Sequence, residues 1–331
     1  MADDAGLEEL MRRAVALGSA ARQTTPPNPW VGAILVPQDA TTEFAGATEP
    51  PGARHAEIVA LDAAGRAAHG ATLVVTLEPC SHHGRTPPCV DAIIETGVKR
   101  VVVGVEDPDP RVAGAGIARL RAAGIEVVVG VAATEVAASL GAYLHHRRTG
   151  RPLVVLKLAM TLDGRTAARD GTSKWITGKE ARADVHHLRA ESDAILVGAG
   201  TVRSDDPELT ARTDPPALRQ PLRVVLGSAP RDARVQPALE MGGDLGGVLD
   251  DLGQRGILQL LVEGGASVAH DFVSAGLVDR FVIYLAPAMM GGDDGAPVLK
   301  GPGAPSIDSL WRGDFISVTK LGDDLRVEVV A

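Results

Sequence analysis

Residues 76–89 have the sequence TLEPCSHHGRTPPC, the most informative stretch of the 331-residue chain. This stretch contains Cys80 and Cys89, the two cysteines of the sequence. His55 and Glu57 lie upstream, within the tripeptide HAE. One imidazole and two thiolates are donors that zinc binds well, whereas a disulfide is not expected in a reducing compartment. The pattern therefore predicts a metal site made by His55, Cys80 and Cys89.

Three protein ligands indicate a catalytic metal, because a structural zinc is normally closed by four. The order H-x-E followed by P-C is typical of zinc deaminases, in which zinc activates water and the glutamate moves protons without binding the metal. Glu57 fits that role. We expect Cys80 and Cys89 to lie at or near helix starts, where the helix dipole favours thiolates. Two alternatives stay open, namely His82 or His83 as a fourth ligand of a structural zinc, and cysteines that only pack in the core.

The length, net charge and composition of the chain limit the classes of protein to which it can belong. A length of 331 residues favours two domains, since it is large for one hydrophobic core. A net charge of −9 and an aromatic content of 3% argue against nucleic-acid binding, which draws on clustered Lys and Arg and on stacking rings. The sequence has no uninterrupted apolar stretch of membrane-helix length and no signal-peptide pattern at its start. We therefore expect no membrane association and a cytoplasmic location.

Helical and strand patterns alternate in the first half, which predicts an α/β sandwich with parallel strand pairs. The predicted helices are Leu7–Arg22, Arg54–His69, Pro88–Thr96, Ala113–Ala123 and Thr134–Arg148, and the predicted strands are Trp30–Val36, Ala71–Leu77, Val98–Val105 and Ile125–Val131. The segment between Val36 and Pro51 is rich in turn-forming residues. A polar run over residues 145–152 ends in Gly and Pro, and it separates domains predicted at residues 1–147 and 152–331.

The second half is also predicted to be α/β, with a mixed sheet. Its predicted elements are the helix Lys179–Arg189 and the strands Leu153–Met160, Ala194–Val197, Arg223–Leu226, Ile257–Val262 and Arg280–Leu285. No helix is indicated between Phe315–Leu321 and Leu325–Val330, so these strands are expected to form an antiparallel hairpin. Strand–glycine–helix junctions near residues 198–200 and 263–265 suggest phosphate binding, although such glycines often serve only the turn. The pattern GxGxxG is absent, so a Rossmann domain is not supported.

The stretch 76–89 resembles the deaminase domain of the bifunctional riboflavin-biosynthesis deaminase/reductase family. The segments NPWVG at 28–32 and EDPDP at 106–110 resemble two further motifs of this family, and the resemblance covers nearly the whole chain. It implies a cytidine-deaminase-like α/β/α sandwich that uses zinc to deaminate 2,5-diamino-6-(5-phosphoribosylamino)pyrimidin-4(3H)-one. Asn28 and Arg85 are implied to contact this substrate, with Arg85 on the phosphate; a solvated loop arginine is the alternative. Thr48 stands where the family often has a histidine.

Four segments of the second half resemble the reductase domain of the same family: LKLAMTLDGR at 156–165, SKWIT at 173–177, GAGTVRSDDP at 198–207 and VEGGA at 262–266. They imply a dihydrofolate-reductase-like α/β domain in which NADPH reduces the ribosyl group of 5-amino-6-(5-phosphoribosylamino)uracil to ribityl. The residues implied to contact substrate are Lys157, Ser173, Arg189, Leu209, Arg212 and Glu263, with both arginines on its phosphate. Those implied to contact the dinucleotide are Ala159, Trp175, Thr201, Asp205, Ser228 and Gly265. In the alternative interpretations, Trp175 packs in the core, Asp205 caps a helix and Arg189 lies on a solvated helix face.

Three alternative functions are also considered, together with the expected oligomeric state. Residues 229–256 are compact compared with many members of the family, so a second domain with a lost or altered reduction is one alternative. A nucleic-acid-editing deaminase is disfavoured by the acidic charge, the few aromatics and the long spacing between the cysteines. A non-enzymatic, zinc-stabilised interaction protein would require a closed four-ligand zinc. By analogy with relatives of both domain types, we expect a homodimer or a higher homo-oligomer.

Overall fold

Gly150 separates two units that each have their own core. The structure is a computed structural model and describes residues 4–39, 42–84 and 87–330. Residues 1–150 form one compact unit and residues 151–331 the other. Gly150 follows the last helix of the first unit with a left-handed φ of 76°, a conformation that ends helices and that glycine adopts without strain.

A five-stranded sheet forms the centre of the first unit. Its strands are β1 (Gly32–Val36), β2 (Phe44–Ala47), β3 (Thr72–Leu77), β4 (Arg100–Val105) and β5 (Glu126–Val129). In the order β2–β1–β3–β4–β5, β1 pairs antiparallel with both neighbours, whereas β3, β4 and β5 run parallel. The predicted α/β sandwich is confirmed. Its antiparallel edge includes β2, a short Phe-Ala-Gly-Ala strand inside the segment that the sequence pattern indicates only as turns.

Helices surround this sheet, and two of them differ from the prediction. The described helices are α1 (Asp4–Ala21), α2 (Ala56–Ala64), α3 (Cys89–Glu95), α4 (Ala115–Ala122), α5 (Ala133–Ser139) and α6 (Gly141–Thr149). The helix predicted at Arg54–His69 ends at Ala64 and continues only as a 3₁₀ turn, because Gly65 has a φ of 52°. The helix predicted at Thr134–Arg148 is α5 and α6, which break at the buried Leu140, where ψ is 7°.

Helix α1 packs directly against β1, and a glycine makes this approach possible. A Cβ atom on Gly32 would lie 1.8 Å from the carbonyl oxygen of Ala14, so no larger residue fits there. Leu7 and Met11 of α1 are buried in the same unit. The contact fixes the start of β1 and, with it, the preceding segment that contains Asn28.

An eight-stranded mixed sheet forms the second unit. The strands of this unit are β6 (Leu153–Thr161), β7 (Arg165–Ala167), β8 (Ala194–Gly198), β9 (Leu222–Leu226), β10 (Leu239–Met241), β11 (Gln259–Val262), β12 (Arg280–Ala286), β13 (Ala296–Pro297), β14 (Asp314–Leu321) and β15 (Asp324–Val330). The large sheet has the order β10–β9–β8–β11–β6–β12–β15–β14, and β7 pairs with β13 separately. The first six strands of that order run parallel, and β15 and β14 are antiparallel, as the predicted hairpin requires.

The parallel strands of this sheet carry buried side chains on both faces. The described helices of the unit are α7 (Lys179–Ala190), α8 (Ala199–Asp205), α9 (Leu245–Gln254) and α10 (Ala266–Ser274). Because neighbouring residues of a strand face opposite sides, Leu156 packs in one core cluster with Phe272, while Val155 packs in another with Tyr284. The compact segment 229–256 supplies both β10 and α9, so it contributes a sheet edge and a covering helix.

No helix among the described residues combines the length and the apolar character needed to cross a membrane.

Candidate functional site

The predicted metal ligands meet at one point in the first unit. The Nδ1 atom of His55 lies 3.2 Å from the Sγ atom of Cys89 and 3.6 Å from that of Cys80. All three donor atoms lie within 4.8 Å of one another. A tetrahedral zinc with ordinary Zn–N and Zn–S bonds places its nitrogen and sulfur ligands about 3.5 Å apart. The spacing and the chemistry of these donors therefore fit zinc.

Local backbone geometry brings the three ligands together. His55 is the extended residue before α2, and Cys89 is the first residue of α3. Pro88 precedes Cys89 in an extended conformation, with ψ at 133°, so α3 begins at the ligand itself. Cys80 follows β3 in a loop, and the expectation that it lies at a helix start is wrong for its backbone. Its Sγ atom nevertheless accepts a hydrogen bond of 3.3 Å from the backbone N–H of Cys89, the first amide of α3.

The electrostatics of the cluster favour a thiolate on Cys80. The Cys89 thiol, the His55 ring and the Cys89 amide all hydrogen-bond to its sulfur, and together they lower the pKa of Cys80 to about 4. The hydrogen bond with Cys80 also raises the pKa of His55. A sulfur that carries negative charge beside an imidazole is prepared for a divalent cation.

The structure does not support a fourth protein ligand. Among the described residues, the group that could hold a metal ion consists of His55, Cys80 and Cys89. His82 lines the neighbouring cavity, and His83 is exposed, so neither belongs to this group. The alternative in which the two cysteines only pack in the core is also disfavoured, because both sulfurs lie at short distance from an imidazole nitrogen.

Glu57 lies in the first turn of α2, next to the cluster, and is 4% exposed. Burial, followed by the charge of Cys80, raises the pKa of Glu57 to about 7. A carboxyl group with such a pKa can accept and release a proton near neutral pH, which is the property a proton-transferring group needs. The side chain also lines the cavity beside the metal ligands.

A cavity of about 430 Å³ opens beside the cluster. Asn28 and Thr48 line it, as do Asp107 and Asp109 of the EDPDP segment. Thr48 also has a structural role, because its Oγ1 atom accepts a 3.1 Å hydrogen bond from the backbone N–H of Val31 in the segment before β1. Arg85, the predicted phosphate contact, lies outside the described residues.

Glu78 is a structural residue beside the site that no sequence motif singles out. Its buried carboxylate accepts hydrogen bonds from the backbone N–H groups of Asp107, Gly114, Gly116 and Ile117, at 2.8 to 3.2 Å. These bonds connect the segment that carries Cys80 to the loop that carries Asp107 and to the start of α4. A charged residue directly before the Pro-Cys pair was the available signal in the sequence.

In the second unit the structure brings together three of the predicted substrate residues. The Nε and Nη2 atoms of Arg189, on α7, donate to the carboxylate of Glu263 at 2.6 and 2.8 Å. The two side chains are 14% and 7% exposed. Burial alone would raise the pKa of Glu263, but Arg189 and Lys157 outweigh it and lower that pKa. Arg189 is therefore not on a solvated helix face.

The remaining predicted substrate residues occupy different surroundings. Leu209 is buried with a left-handed φ of 52°. Arg189 also donates to the carbonyl oxygen of Thr210, at 3.1 Å, which ties Leu209 and Arg212 to the same region. The backbone N–H of Arg212 donates to Nδ1 of His186, another residue that the sequence analysis misses. Ser173 is exposed.

Several predicted cofactor residues share one edge of the parallel sheet. Ala159 is near the carboxyl end of β6, and Thr201, Ser228 and Gly265 follow β8, β9 and β11. Ligands of open parallel sheets bind at this edge. A Cβ atom on Gly265 would lie 3.0 Å from Oγ1 of Thr201, so the two junctions are close together.

Trp175 and Asp205 do not have the structural roles considered for them. Trp175 is 70% exposed, and its ring stacks on the guanidinium of Arg182 at 4.4 Å, so it is not a core residue. Asp205 is exposed and is the last residue of α8, so it does not cap the start of that helix.

Comparisons with known proteins also divide the chain into two regions that correspond to the two units. Residues 5–105 match the cytidine and deoxycytidylate deaminase zinc-binding region, and residues 152–327 match the RibD C-terminal domain. The chain is 45% identical to the riboflavin biosynthesis protein RibD of Mycobacterium tuberculosis, covering 98% of this chain and 97% of that one. It is 38% identical to RibD of Escherichia coli, covering 98% and 99%.

Solved structures of similar proteins superpose on nearly the whole chain. A structure of Acinetobacter baumannii RibD superposes with a TM-score of 0.91 at 35% identity, covering 99% of both chains. The Thermotoga maritima diaminohydroxyphosphoribosylaminopyrimidine deaminase/5-amino-6-(5-phosphoribosylamino)uracil reductase superposes with a TM-score of 0.89 at 35% identity, covering 98% of both chains.

The Glu78→Gln substitution is expected to destabilise the first unit. One carboxylate oxygen would become an NH₂ group facing backbone N–H donors, so two of the hydrogen bonds would be lost and buried donors left unpaired. We expect the free energy of unfolding to fall by about 2–4 kcal/mol, measured by urea denaturation. Glu95→Gln, on the exposed side of α3, is the matched control. Equal stability of the two variants would contradict the anchoring role of Glu78.

The Arg189→Met substitution is expected to cost about 3–5 kcal/mol at pH 8, because it leaves Glu263 buried without its partner. In the wild type the pKa of Glu263 is lowered, so its contribution to stability is present above the unfolded-state pKa and is lost as pH falls through the folded-state pKa. In the variant, burial raises that pKa, and protonation relieves the penalty at lower pH. The destabilisation should therefore be smaller at pH 5 than at pH 8 in thermal unfolding. The exposed Arg203→Met is the control, and a pH-independent effect of Arg189→Met would refute the assignment.

Proposed function

The chain belongs to the RibD family of riboflavin biosynthesis proteins, a family of bifunctional deaminase/reductases, and we propose that its two units catalyse two successive reactions. The first unit deaminates 2,5-diamino-6-(5-phosphoribosylamino)pyrimidin-4(3H)-one. The second uses NADPH to reduce the ribosyl group of the resulting 5-amino-6-(5-phosphoribosylamino)uracil to ribityl. The cluster of His55, Cys80 and Cys89 beside the buried Glu57 is the observation that carries this proposal.

Deamination requires a water nucleophile, a proton carrier and a protonated leaving group. Zinc held by His55, Cys80 and Cys89 would supply the nucleophile by lowering the pKa of water to about 7. Glu57 lies beside the cluster without belonging to it, so its carboxylate can take the proton from water and deliver it to the departing amino group. The net reaction exchanges the amino group of the ring for oxygen and releases ammonia. Asn28, which lines the cavity, offers amide donors and acceptors to the ring.

Reduction requires a hydride and a positioned sugar. NADPH would supply the hydride, and the exposed residues Trp175, Asp205 and Ser228 are accessible for contacts with the dinucleotide. Lys157 is partly buried, burial lowers its pKa, and it lies within electrostatic range of Glu263. Lys157 and Glu263 then hold the polar sugar, while Arg189 keeps Glu263 ionised.

Arg212 is the better candidate of the two arginines for the phosphate in this second site. All three side-chain nitrogens of Arg189 donate hydrogen bonds to Glu263 or Thr210, and the side chain is mostly buried. The side chain of Arg212 is 58% exposed and makes its ion pair with the partly exposed Glu208. We also propose that the chain forms a homo-oligomer, by analogy with relatives of both domain types, and that it acts in the cytoplasm.

A coupled assay on purified, zinc-loaded protein tests the proposal. Ammonia release from the phosphoribosylated diaminopyrimidinone is measured first without NADPH, and NADPH oxidation is then followed after its addition. We expect ammonia first and NADPH consumption second, in equal amounts. Absence of ammonia release would refute the deaminase assignment. Ammonia without NADPH oxidation would mean that the second unit has lost or changed its reaction.

The Glu57→Gln variant is expected to bind one zinc per chain and to lose deamination, because an amide cannot carry the proton. A fall in kcat of at least about 100-fold is expected from removal of a general acid–base. Zinc content is measured by elemental analysis and turnover by ammonia release. Asp62→Asn, on the exposed side of α2, is the control. Normal turnover by Glu57→Gln would show that another group moves the proton.

The Lys157→Ala variant is expected to keep deamination and to be impaired in reduction, because Lys157 lies in the second unit. Loss of a charge-assisted contact predicts a decrease in kcat/KM for reduction of about 10- to 100-fold. The exposed Lys179→Ala is the control. Equal loss of both activities would argue against two separate sites.

A further inference from the structure

The segment 209–212 of the second unit carries two of the predicted substrate residues, and it belongs to no helix or strand. Leu209, at its start, is buried and has a left-handed φ of 52°, a conformation that a residue other than glycine adopts only at a cost in free energy. Arg212, at its end, has a largely exposed side chain. A backbone outside regular elements finds no partners in a helix or sheet ladder, so other groups must satisfy its polar atoms.

Helix α7 supplies two of these groups from one face. His186 and Arg189 are three positions apart, so they project from the same side of the helix. Nδ1 of His186 accepts a hydrogen bond of 3.2 Å from the backbone N–H of Arg212. Nη1 of Arg189 donates to the carbonyl oxygen of Thr210 at 3.1 Å. The helix therefore holds the backbone on both sides of Ala211.

Gln220 holds the residue between these two points. Its Oε1 atom accepts a hydrogen bond from the backbone N–H of Ala211 at 2.8 Å, and its Nε2 atom donates to the carbonyl oxygen of Ala211 at 2.9 Å. The side-chain amide thus makes the pair of bonds that a residue of an antiparallel strand would make. The backbone from the carbonyl group of Thr210 to the amide of Arg212 is thereby bonded to side chains throughout.

The hydrogen bond with Arg212 requires that Nδ1 of His186 carry no proton. Burial lowers the pKa of His186, and the charges of Arg189 and Arg212 lower it further, so the ring is neutral at pH 8. Nδ1 also lies 3.2 Å from the carbonyl oxygen of Thr210, to which a protonated Nδ1 would donate instead. That oxygen already accepts a hydrogen bond from Arg189. The neutral ring with an unprotonated Nδ1 is therefore the form that holds Arg212.

The position of the Arg212 backbone determines where its guanidinium can reach. Nη1 of Arg212 donates to Oγ1 of Thr210 at 2.7 Å and to Oε2 of Glu208 at 3.0 Å. Glu208 also pairs with Arg234, so its one negative charge faces two guanidiniums. A net positive charge is left for an anion. A cation that is oriented before its ligand arrives loses less conformational freedom on binding.

We propose that His186 and Gln220 are positioning residues of the second site, which hold the backbone of residues 210–212 so that Arg212 meets the phosphate of the ribosyl substrate. The inference rests on the proposed function, in which Arg212 binds that phosphate. Neither side chain has to touch the substrate, because each acts on the backbone that leads to Arg212. The same bonds keep Leu209 in its costly conformation, so the segment is formed before the substrate binds.

The test compares reduction of the deaminated compound with reduction of the same compound without its phosphate. For His186→Leu we expect the KM for the phosphorylated compound to rise about 10-fold, as when a charge-assisted contact is weakened. The kcat, and the KM for the dephosphorylated compound, should change less than about twofold. His186→Asn should restore most of the wild-type preference for phosphate, because its amide oxygen can replace Nδ1 as the acceptor. Gln220→Met, which loses both hydrogen bonds, should resemble His186→Leu.

A double-mutant cycle distinguishes positioning from a general structural effect. Arg212→Gln removes the proposed phosphate contact, so adding His186→Leu to it should raise the KM by less than a further factor of about two. His187→Leu, at the exposed neighbouring position on α7, is the matched control and should keep the wild-type preference. Thermal unfolding of each variant shows whether the second unit is intact. Gln220→Met provides the same test from another segment if His186→Leu is unstable.

The outcomes separate the inference from the function on which it rests. A wild-type preference for phosphate in Gln220→Met and in a folded His186→Leu would overturn the inference. Full additivity of His186→Leu and Arg212→Gln would also overturn it, as would a wild-type preference in Arg212→Gln alone. Failure of the wild type to reduce either compound would instead refute the proposed function of the second unit.

Discussion

The first unit depends on the meeting of one imidazole nitrogen and two sulfurs at a single point. The three predicted ligands come from the start of α2, the loop after β3 and the start of α3, so this meeting restricts three segments of the chain at once. Pro88 is extended, so α3 begins at Cys89, and the amide of Cys89 donates a hydrogen bond to the sulfur of Cys80. Glu78 extends the restraint to a fourth segment by binding the loop before α4. The cavity lies beside the cluster, and burial together with the charge of Cys80 raises the pKa of Glu57 to about 7.

The second unit positions its predicted binding residues at the carboxyl edge of a parallel sheet. Side chains that follow β8, β9 and β11 reach the same edge because these strands run parallel. Glycine permits close approach of the two helix starts there, as the contact between Gly265 and Thr201 shows. The ion pair of Arg189 and Glu263 connects α7 to the end of β11 and sets the charge beside Lys157. The residues proposed to contact substrate and cofactor thus lie near one edge of the sheet.

The sequence predicts the cluster of His55, Cys80 and Cys89 because residue type and local order carry its chemistry. It also predicts most helices and strands, since their apolar periodicity is strong. It does not predict β2, because Phe-Ala-Gly-Ala is too short to show alternation. Nor does it predict the anchoring contacts of Glu78. The hydrogen bonds of its carboxylate with the backbone N–H groups of Asp107 and Gly116 depend on how separate segments meet, which is not visible in a linear pattern.

In the proposed function, one chain carries two chemically independent sites, of which only the first needs zinc. The most direct test is a zinc titration of the metal-free protein. Ammonia release from the diaminopyrimidinone and NADPH-dependent reduction of the separately prepared deaminated compound are measured at each zinc level. We predict that the rate of ammonia release rises linearly and reaches a plateau at one zinc per chain, while the reduction rate stays constant. A parallel rise of both activities, or full deamination without zinc, would contradict the independence of the two sites.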